Sequence, residues 1–329
     1  MQCSQAVVAA RVPRARPVAG WRAALRAACV GLSLAGLLLI GLPPAWAERH
    51  ALLIGVNEVD VLPARLRLRG PANDVALMRQ ALLDRGFEAQ RITVLAQRSP
   101  VAAAAPTFAD VLAAMDRIAR AVRPGDTVVL HLAGHGVQVP QRLPLAPGVA
   151  PEPDGLDEVF LLQDSGSWDA TRGELPRTLR DDAIGDWFDT LVDRGARVFA
   201  VFDNCHAAGL AREPTGHARW RAVSAAELGV PVAQLRTAAP ARPPARTDGR
   251  VLAYAARGHE LAGEEWLPRG AGLARTRVQG VFSFEVAAAL ATGVGSGADL
   301  MAQLRQRYAA ARRVSPTPLV AGEGPLFAP

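Results

Sequence analysis

Short, mainly apolar runs recur along the chain, and stretches with helical spacing separate them. The runs predict buried strands at 51–56, 92–95, 128–132, 158–162, 198–202 and 251–256. The clearest helix follows Thr107, and its apolar side consists of Phe108, Val111, Leu112, Met115, Ala119 and Val122. Strands that alternate with helices predict an α/β fold, in which a mostly parallel central sheet carries helices on both faces.

Further helices are predicted from the same spacing. Asn73 and Asp74 are typical of a helix start, and Gly86 is typical of its end. A helix is also expected around 184–191, and two more close to 281–292 and 298–313.

Two stretches break this alternation. The region from Pro140 to Pro153 is rich in proline and predicts an exposed loop after the third strand. Residues 210–249 mix arginine, alanine and proline, and a stretch of that length and composition inside a domain predicts a mobile linker.

The first 47 residues have the layout of an export signal. They contain five arginines, no acidic residue and an apolar run of 16 residues from Ala27 to Leu42, which ends shortly before Ala45-Trp46-Ala47. Signal peptidase recognises small residues such as Ala45 and Ala47, so we predict cleavage after Ala47 and a periplasmic or secreted protein. The alternative is a retained anchor, and only then is membrane association expected. The run is shorter than the roughly 20 residues that span a bilayer comfortably.

Removal of this segment changes the charge balance. The whole chain has a formal net charge of +6, whereas residues 48–329 contain 32 basic and 31 acidic residues, a net charge of +1. A charge so close to zero gives no reason to expect a nucleic-acid partner. The chain also lacks a Gly-x-Gly-x-x-Gly pattern, which argues against a nucleotide-binding α/β protein.

The chemistry of the chain centres on two strand ends. Cys205 is the only cysteine after Ala47, so it pairs with another chain, is inert, or is reactive. His135 follows another predicted strand, and an imidazole is well suited to take the proton of a thiol near neutral pH. We therefore predict a catalytic dyad of His135 and Cys205. The backbone amides of Gly136 and Cys205 are predicted to hold the oxyanion that forms during acyl transfer.

These segments resemble the histidine and cysteine motifs of the caspase-like cysteine peptidases, most closely the metacaspases and their bacterial relatives. The family's Ser-Gly-His-Gly is Ala-Gly-His-Gly at 133–136, and its Asp-x-Cys-His-Ser-Gly corresponds to Asp-Asn-Cys-His-Ala-Ala-Gly at 203–209. The resemblance extends over roughly 49–325 and implies a three-layer α/β/α sandwich. Other matching segments lie in the family's order at 51–57, 68–74, 157–158, 181–182 and 280–283.

The resemblance also implies roles for two sets of aspartates. Asp74 and Asp203 match a pocket that receives the arginine or lysine before the cleaved bond, although Asp74 also suits a helix cap. Asp164, Asp181 and Asp182 match three of the aspartates that bind calcium in many metacaspases. The last two equally suit a helix cap, so calcium is a candidate cofactor and not a required one.

Together, these observations predict a signal segment (1–47) followed by one caspase-like domain (48–329). That domain divides into a large-subunit region (48–210), the linker (210–249) and a small-subunit region (250–329). The implied function is an exported cysteine endopeptidase that cleaves polypeptides after arginine or lysine. The alternative is a caspase-fold protein that binds or regulates partners and cleaves little, because Ala133 replaces the motif's serine.

Overall fold

The computed structural model describes residues 47–141, 155–205, 219–231, 247–257, 260–270 and 273–328. They belong to a compact unit that spans Ala47–Pro329. The predicted export signal up to residue 46, most of the proline-rich loop, and residues 210–218 and 232–246 of the predicted linker lie outside the described residues. No helix in the described part of the chain has the length and apolar character needed to cross a membrane.

The described strands form one large sheet and two small ones. In chain order they are β1 (Arg49–Gly55), β2 (Ile92–Ala96), β3 (Thr127–Ala133), β4 (Gly136–Pro140), β5 (Leu156–Leu161), β6 (Thr178–Arg180), β7 (Arg197–Asp203), β8 (Arg219–Trp220), β9 (Arg250–Tyr254), β10 (Gly263–Leu267), β11 (Arg277–Gly280) and β12 (Leu319–Ala321). The central sheet has the order β12-β9-β7-β3-β1-β2, and all of its pairings are parallel except β12 with β9. The small sheets, β11-β10-β8 and β4-β5-β6, are antiparallel.

The α-helices of the described chain are α1 (Pro71–Asp84), α2 (Phe108–Ala121), α3 (Asp181–Asp193), α4 (Val281–Ala291) and α5 (Gly297–Ala310). Each strand of the central sheet sends alternate side chains to opposite faces. In β1, Leu52 and Ile54 belong to the core under α2 and α3, whereas Ala51 and Leu53 belong to the core under α1, α4 and α5. Two apolar cores on one sheet confirm the predicted α/β sandwich with a mostly parallel centre.

The helix starts show where sequence signals were sufficient. Thr107 accepts a hydrogen bond from the amide of Asp110, and α2 begins at Phe108 as predicted. Helix α1 begins at Pro71, earlier than predicted, because proline is well suited to a first helical position, where its missing N–H is not needed. Asp74 therefore lies inside the first turn with its side chain fully buried, and its interpretation as a helix cap is wrong.

The register of the central sheet places two strand ends side by side. β3 and β7 are parallel neighbours, with Ala133 opposite Asp203. The residues that follow these strands therefore leave the same edge of the sheet together.

Candidate active site

His135 and Cys205 lie on adjacent turns at that edge. The two turns touch, because a Cβ added to Gly136 would lie 2.3 Å from the carbonyl oxygen of Cys205. Both side chains are almost fully buried, with 2% of each residue exposed. Any side chain at position 136 would push the histidine and cysteine turns apart, which explains the glycine.

The ring of His135 is fixed by a backbone carbonyl. Its Nε2 lies 2.7 Å from the carbonyl oxygen of Leu66. A carbonyl oxygen only accepts hydrogen bonds, so Nε2 carries the hydrogen and Nδ1 carries the lone pair. Nδ1 has no hydrogen-bond partner within the described residues, which leaves it available as a base.

The thiol of Cys205 faces the backbone of Ala262. Its Sγ accepts a hydrogen bond from the amide of Ala262 and donates one to the carbonyl oxygen at 3.6 Å. Burial raises the pKa of Cys205 to about 12, although the Ala262 hydrogen bond lowers it. Burial also lowers the pKa of His135 to about 4, against the effect of the Leu66 hydrogen bond. Both groups are therefore neutral in this arrangement.

Residues 219–223, which we call the crossing segment, pass directly over this pair. Arg219 and Trp220 form β8, which pairs with β10 in antiparallel fashion. The amide of Arg221 donates to the carbonyl oxygen of Ala262 at 2.9 Å. Beyond it, the amide of Val223 donates to the carbonyl oxygen of Gly136 at 3.3 Å. The crossing segment thus pairs with the protein on both sides of Arg221.

The carbonyl oxygen of Arg221 occupies the predicted oxyanion position. The amides of Gly136 and Cys205 both donate to it, each at 3.1 Å. Two convergent amides on one carbonyl oxygen are the arrangement that stabilises a developing oxyanion in acyl transfer.

Arg221 has the largest fully buried side chain in the described part of the protein, and its guanidinium lies among carboxyl groups. It forms an ion pair with Asp74, and its Nη1 lies 3.1 Å from Oδ2 of Asp203. Nη1 also donates to the backbone carbonyl of Asp203 at 3.0 Å. Glu264 lies at 4.0 Å from Nη2. Three carboxyl groups therefore surround one guanidinium, and water is excluded from the site.

Backbone and hydroxyl donors hold these carboxylates in place. Oδ2 of Asp203 accepts from the amide of Ser283 at 2.9 Å and from its hydroxyl at 2.7 Å. The Ser283 hydroxyl in turn lies 2.9 Å from Nε2 of the buried His131, which explains why a histidine stands inside β3. Oε2 of Glu264 accepts from the amide of Gly70 at 2.7 Å, and Asp74 accepts from the amide of Gly280 at 2.8 Å. Backbone amides and one hydroxyl therefore fix the carboxylates that face the guanidinium of Arg221.

The electrostatics of the pocket match an arginine. Burial would lower the pKa of Arg221, but Asp203, Asp74 and Glu264 together raise it above its usual range. Burial raises the pKa of Asp74 to about 7, an effect that Arg221 opposes and Asp203 assists. A guanidinium presents its N–H donors in a fixed planar fork, which can bridge two carboxylates. The compact charge of a lysine ammonium lacks this geometry.

Sequence reasoning found part of this site. It named Asp74 and Asp203, but it missed Glu264 and the carbonyl of Leu66, which lie far from either motif in the chain. It assigned Arg221 to a mobile linker because of the local composition. Instead, residues 219–231 pack into the domain as β8 and a short 3₁₀ turn at Ala225–Leu228. The buried ion pairs of Arg221 fix the first part, and Val223, Leu228 and Val230 pack into the apolar core.

The proposed calcium ligands are not gathered into a cluster. Asp164 accepts a hydrogen bond from the amide of Phe108 at 2.8 Å and pairs with Arg177. Asp181 and Asp182 lie in the first turn of α3, where the helix dipole favours carboxylates. In the described part of the chain, the three-residue group with converging ligand atoms is a different one, Glu48, His50 and Asp126. These residues therefore do not fit a calcium site as they stand, and calcium activation stays a prediction.

Comparison with known families gives a match over half of the chain. Residues 49–213 match the family model described as "Metacaspase, peptidase C14 domain". The matched region contains both His135 and Cys205. It ends before the crossing segment, so the placement of Arg221 comes from the structure alone.

Curated relatives agree with this match, and a solved structure shares the fold. "Metacaspase-1" of Lodderomyces elongisporus is 34% identical over 160 residues, 49% of this chain and 33% of the relative. "Metacaspase-7" of Arabidopsis thaliana is 30% identical over 167 residues, 50% of this chain and 36% of the relative. The matched region thus spans about a third of these relatives. A Geobacter sulfurreducens protein of known crystal structure has a TM-score of 0.53 at 21% identity, over 84% of this chain and 94% of that chain, which shows the fold alone.

Proposed function

The chain belongs to the metacaspase family of C14 peptidases, and from that premise we propose that it is a cysteine endopeptidase that cleaves polypeptides after arginine, and less efficiently after lysine. His135 and Cys205 form the dyad. The observation that carries this proposal is Arg221, whose carbonyl oxygen accepts from two convergent amides while its guanidinium lies between Asp74 and Asp203. A substrate arginine would make the same contacts.

The proposed chemistry follows from the atoms at the site. Sγ of Cys205 gives its proton to Nδ1 of His135 and attacks the carbonyl carbon of the substrate arginine. The electrons of the C=O bond move to the oxygen, which the amides of Gly136 and Cys205 hold. Collapse breaks the C–N bond, and the imidazolium protonates the leaving amine. Water then attacks the thioester while His135 takes its proton, and the proton returns to the Cys205 sulfur as the acid product leaves.

An arginine-based covalent thiol probe tests the proposal directly. We expect the probe to label Cys205 in the full chain and a matched aspartate-based probe to label it far less, because the pocket carboxylates repel a negative side chain. Labelling is read by intact mass, with and without calcium. Equal labelling by both probes would contradict arginine selectivity. Selective labelling without any peptide hydrolysis would favour the caspase-fold binding protein instead.

Export through the first 47 residues remains part of the proposal. It is supported by the charge and apolar pattern of that segment and by the environment of Glu48, whose backbone nitrogen donates to Oδ1 of Asp126 at 2.7 Å. A free amino group at Glu48 would find a buried carboxylate already in place. N-terminal sequencing of protein recovered from the producing cell should therefore begin at Glu48. An intact Met1 on the mature protein would contradict cleavage.

A further inference from the structure

The crossing segment is held by more than its central arginine. Trp220 lies directly opposite Gly263 across the β8–β10 pair. A Cβ placed on Gly263 would lie 3.1 Å from two ring carbons of Trp220, so the ring covers the bare backbone of that glycine. The absence of a side chain at 263 thus creates a flat surface that an aromatic ring fills.

Arg219 makes a second set of contacts on the other side of the strand. Its Nη1 donates to the backbone carbonyls of Arg65, at 3.2 Å, and of Arg67. These carbonyls belong to the turn around the 3₁₀ helix Ala64–Leu66. Backbone carbonyls that point to one place form a site for a cationic side chain that does not depend on acidic residues.

The same turn also holds the catalytic histidine. Leu66, between the two carbonyls that bind Arg219, accepts the hydrogen bond from Nε2 of His135. Three consecutive carbonyls therefore bind one guanidinium and one imidazole. A cation at the position of Arg219 restrains the turn that fixes the tautomer and orientation of the histidine.

We propose that Arg219-Trp220-Arg221 is a copy of the preferred substrate sequence, so that this chain recognises arginine, then an aromatic residue, then the arginine before the cleaved bond. The inference rests on the proposed function and extends it by two subsites. Gly263 is the specificity-determining residue for the aromatic side chain. The turn at 65–67 is a positioning element, because it couples recognition of the distant arginine to His135. A substrate arginine at the position equivalent to Arg219 should therefore raise kcat as well as lower KM.

The segment itself provides the first test, in the full chain. Arg219→Ala and Trp220→Ala should each speed the labelling of Cys205 by an arginine-based thiol probe by roughly threefold to tenfold, because each loses contacts that keep the segment in the site. Arg117→Ala is the matched control, since Arg117 is an exposed arginine on α2. Unchanged labelling rates in both variants would overturn the proposal.

The second test uses peptide substrates on the wild-type chain. Reporter peptides ending in Arg-Trp-Arg, Gly-Trp-Arg, Arg-Gly-Arg and Gly-Gly-Arg are compared by kcat and KM. We expect the kcat/KM of Arg-Trp-Arg to exceed that of Gly-Gly-Arg by about tenfold or more. Part of the gain that the first arginine provides should appear as a higher kcat. Gly263→Val should remove the preference for tryptophan while the preference for the first arginine remains. Equal cleavage of all four peptides would overturn the extended subsites and leave the proposed function intact, whereas no cleavage of any would overturn both.

Discussion

Cys205→Ala is expected to abolish peptide hydrolysis, with a loss of roughly a thousandfold or more. The reason is that the proposed reaction uses the sulfur of Cys205 as its nucleophile, and alanine cannot form the thioester. His135→Ala should produce a loss of similar size, because burial raises the pKa of the Cys205 thiol to about 12 and the thiol then loses its proposed base. Hydrolysis of an arginine reporter peptide, followed over a wide range of enzyme concentrations, measures both effects.

A matched control separates loss of chemistry from loss of fold. His50 is another buried histidine, but it lies at the start of β1, at the amino edge of the sheet and away from the site. His50→Ala should therefore keep the hydrolysis rate even if it lowers the melting temperature. Near-normal activity of the Cys205 or His135 variant, with its melting temperature preserved, would remove the dyad assignment.

Asp203→Asn is expected to have the second-largest effect. The substitution keeps the shape of the side chain but removes one of the charges that face the guanidinium in a water-free pocket. Loss of a buried charge partner is costly, so kcat/KM for an arginine substrate should fall by about tenfold to a hundredfold. Cleavage of the chain's own Arg221–Ala222 bond, which lies at the oxyanion position, should slow in parallel.

Asp157→Asn is the control for this prediction. Asp157 is also a buried carboxylate paired with an arginine, Arg180, but it lies on β5 outside the pocket. It should leave arginine turnover unchanged. Mass spectrometry of the stored protein locates any cut, and a substrate panel that varies the residue before the bond measures specificity. Preferred cleavage after aspartate or an apolar residue would refute the basic specificity, whereas an intact chain that hydrolyses arginine peptides would refute only self-cleavage.

The sequence alone determined the frame of the molecule. The apolar runs became β1, β2, β3, β5, β7 and β9 within a residue or two, because uninterrupted apolar runs are stable only when both faces of a strand are covered. The local pattern also placed His135 and Cys205 after two strands. Parallel neighbours then bring those strand ends to one edge.

Only the tertiary structure shows which arginine of the predicted linker lies between the carboxylates of Asp74 and Asp203. Local composition made Arg219, Arg221 and their neighbours equivalent, since arginine mixed with alanine and proline is typical of a solvated loop. Arg221 differs from the other arginines because it pairs with carboxylates that are distant in the sequence. Asp74 is 147 residues from Arg221, and no local pattern encodes that separation.

The same reason explains Glu264 and Leu66. Glu264 is an ordinary acidic residue on a short strand until the amides of Arg69 and Gly70 fix it beside the guanidinium. Leu66 acts through its backbone carbonyl, which every residue has and no side-chain pattern can signal. The proposed dyad was therefore readable from local sequence, whereas the pocket and its occupant depend on burial that only the folded chain creates.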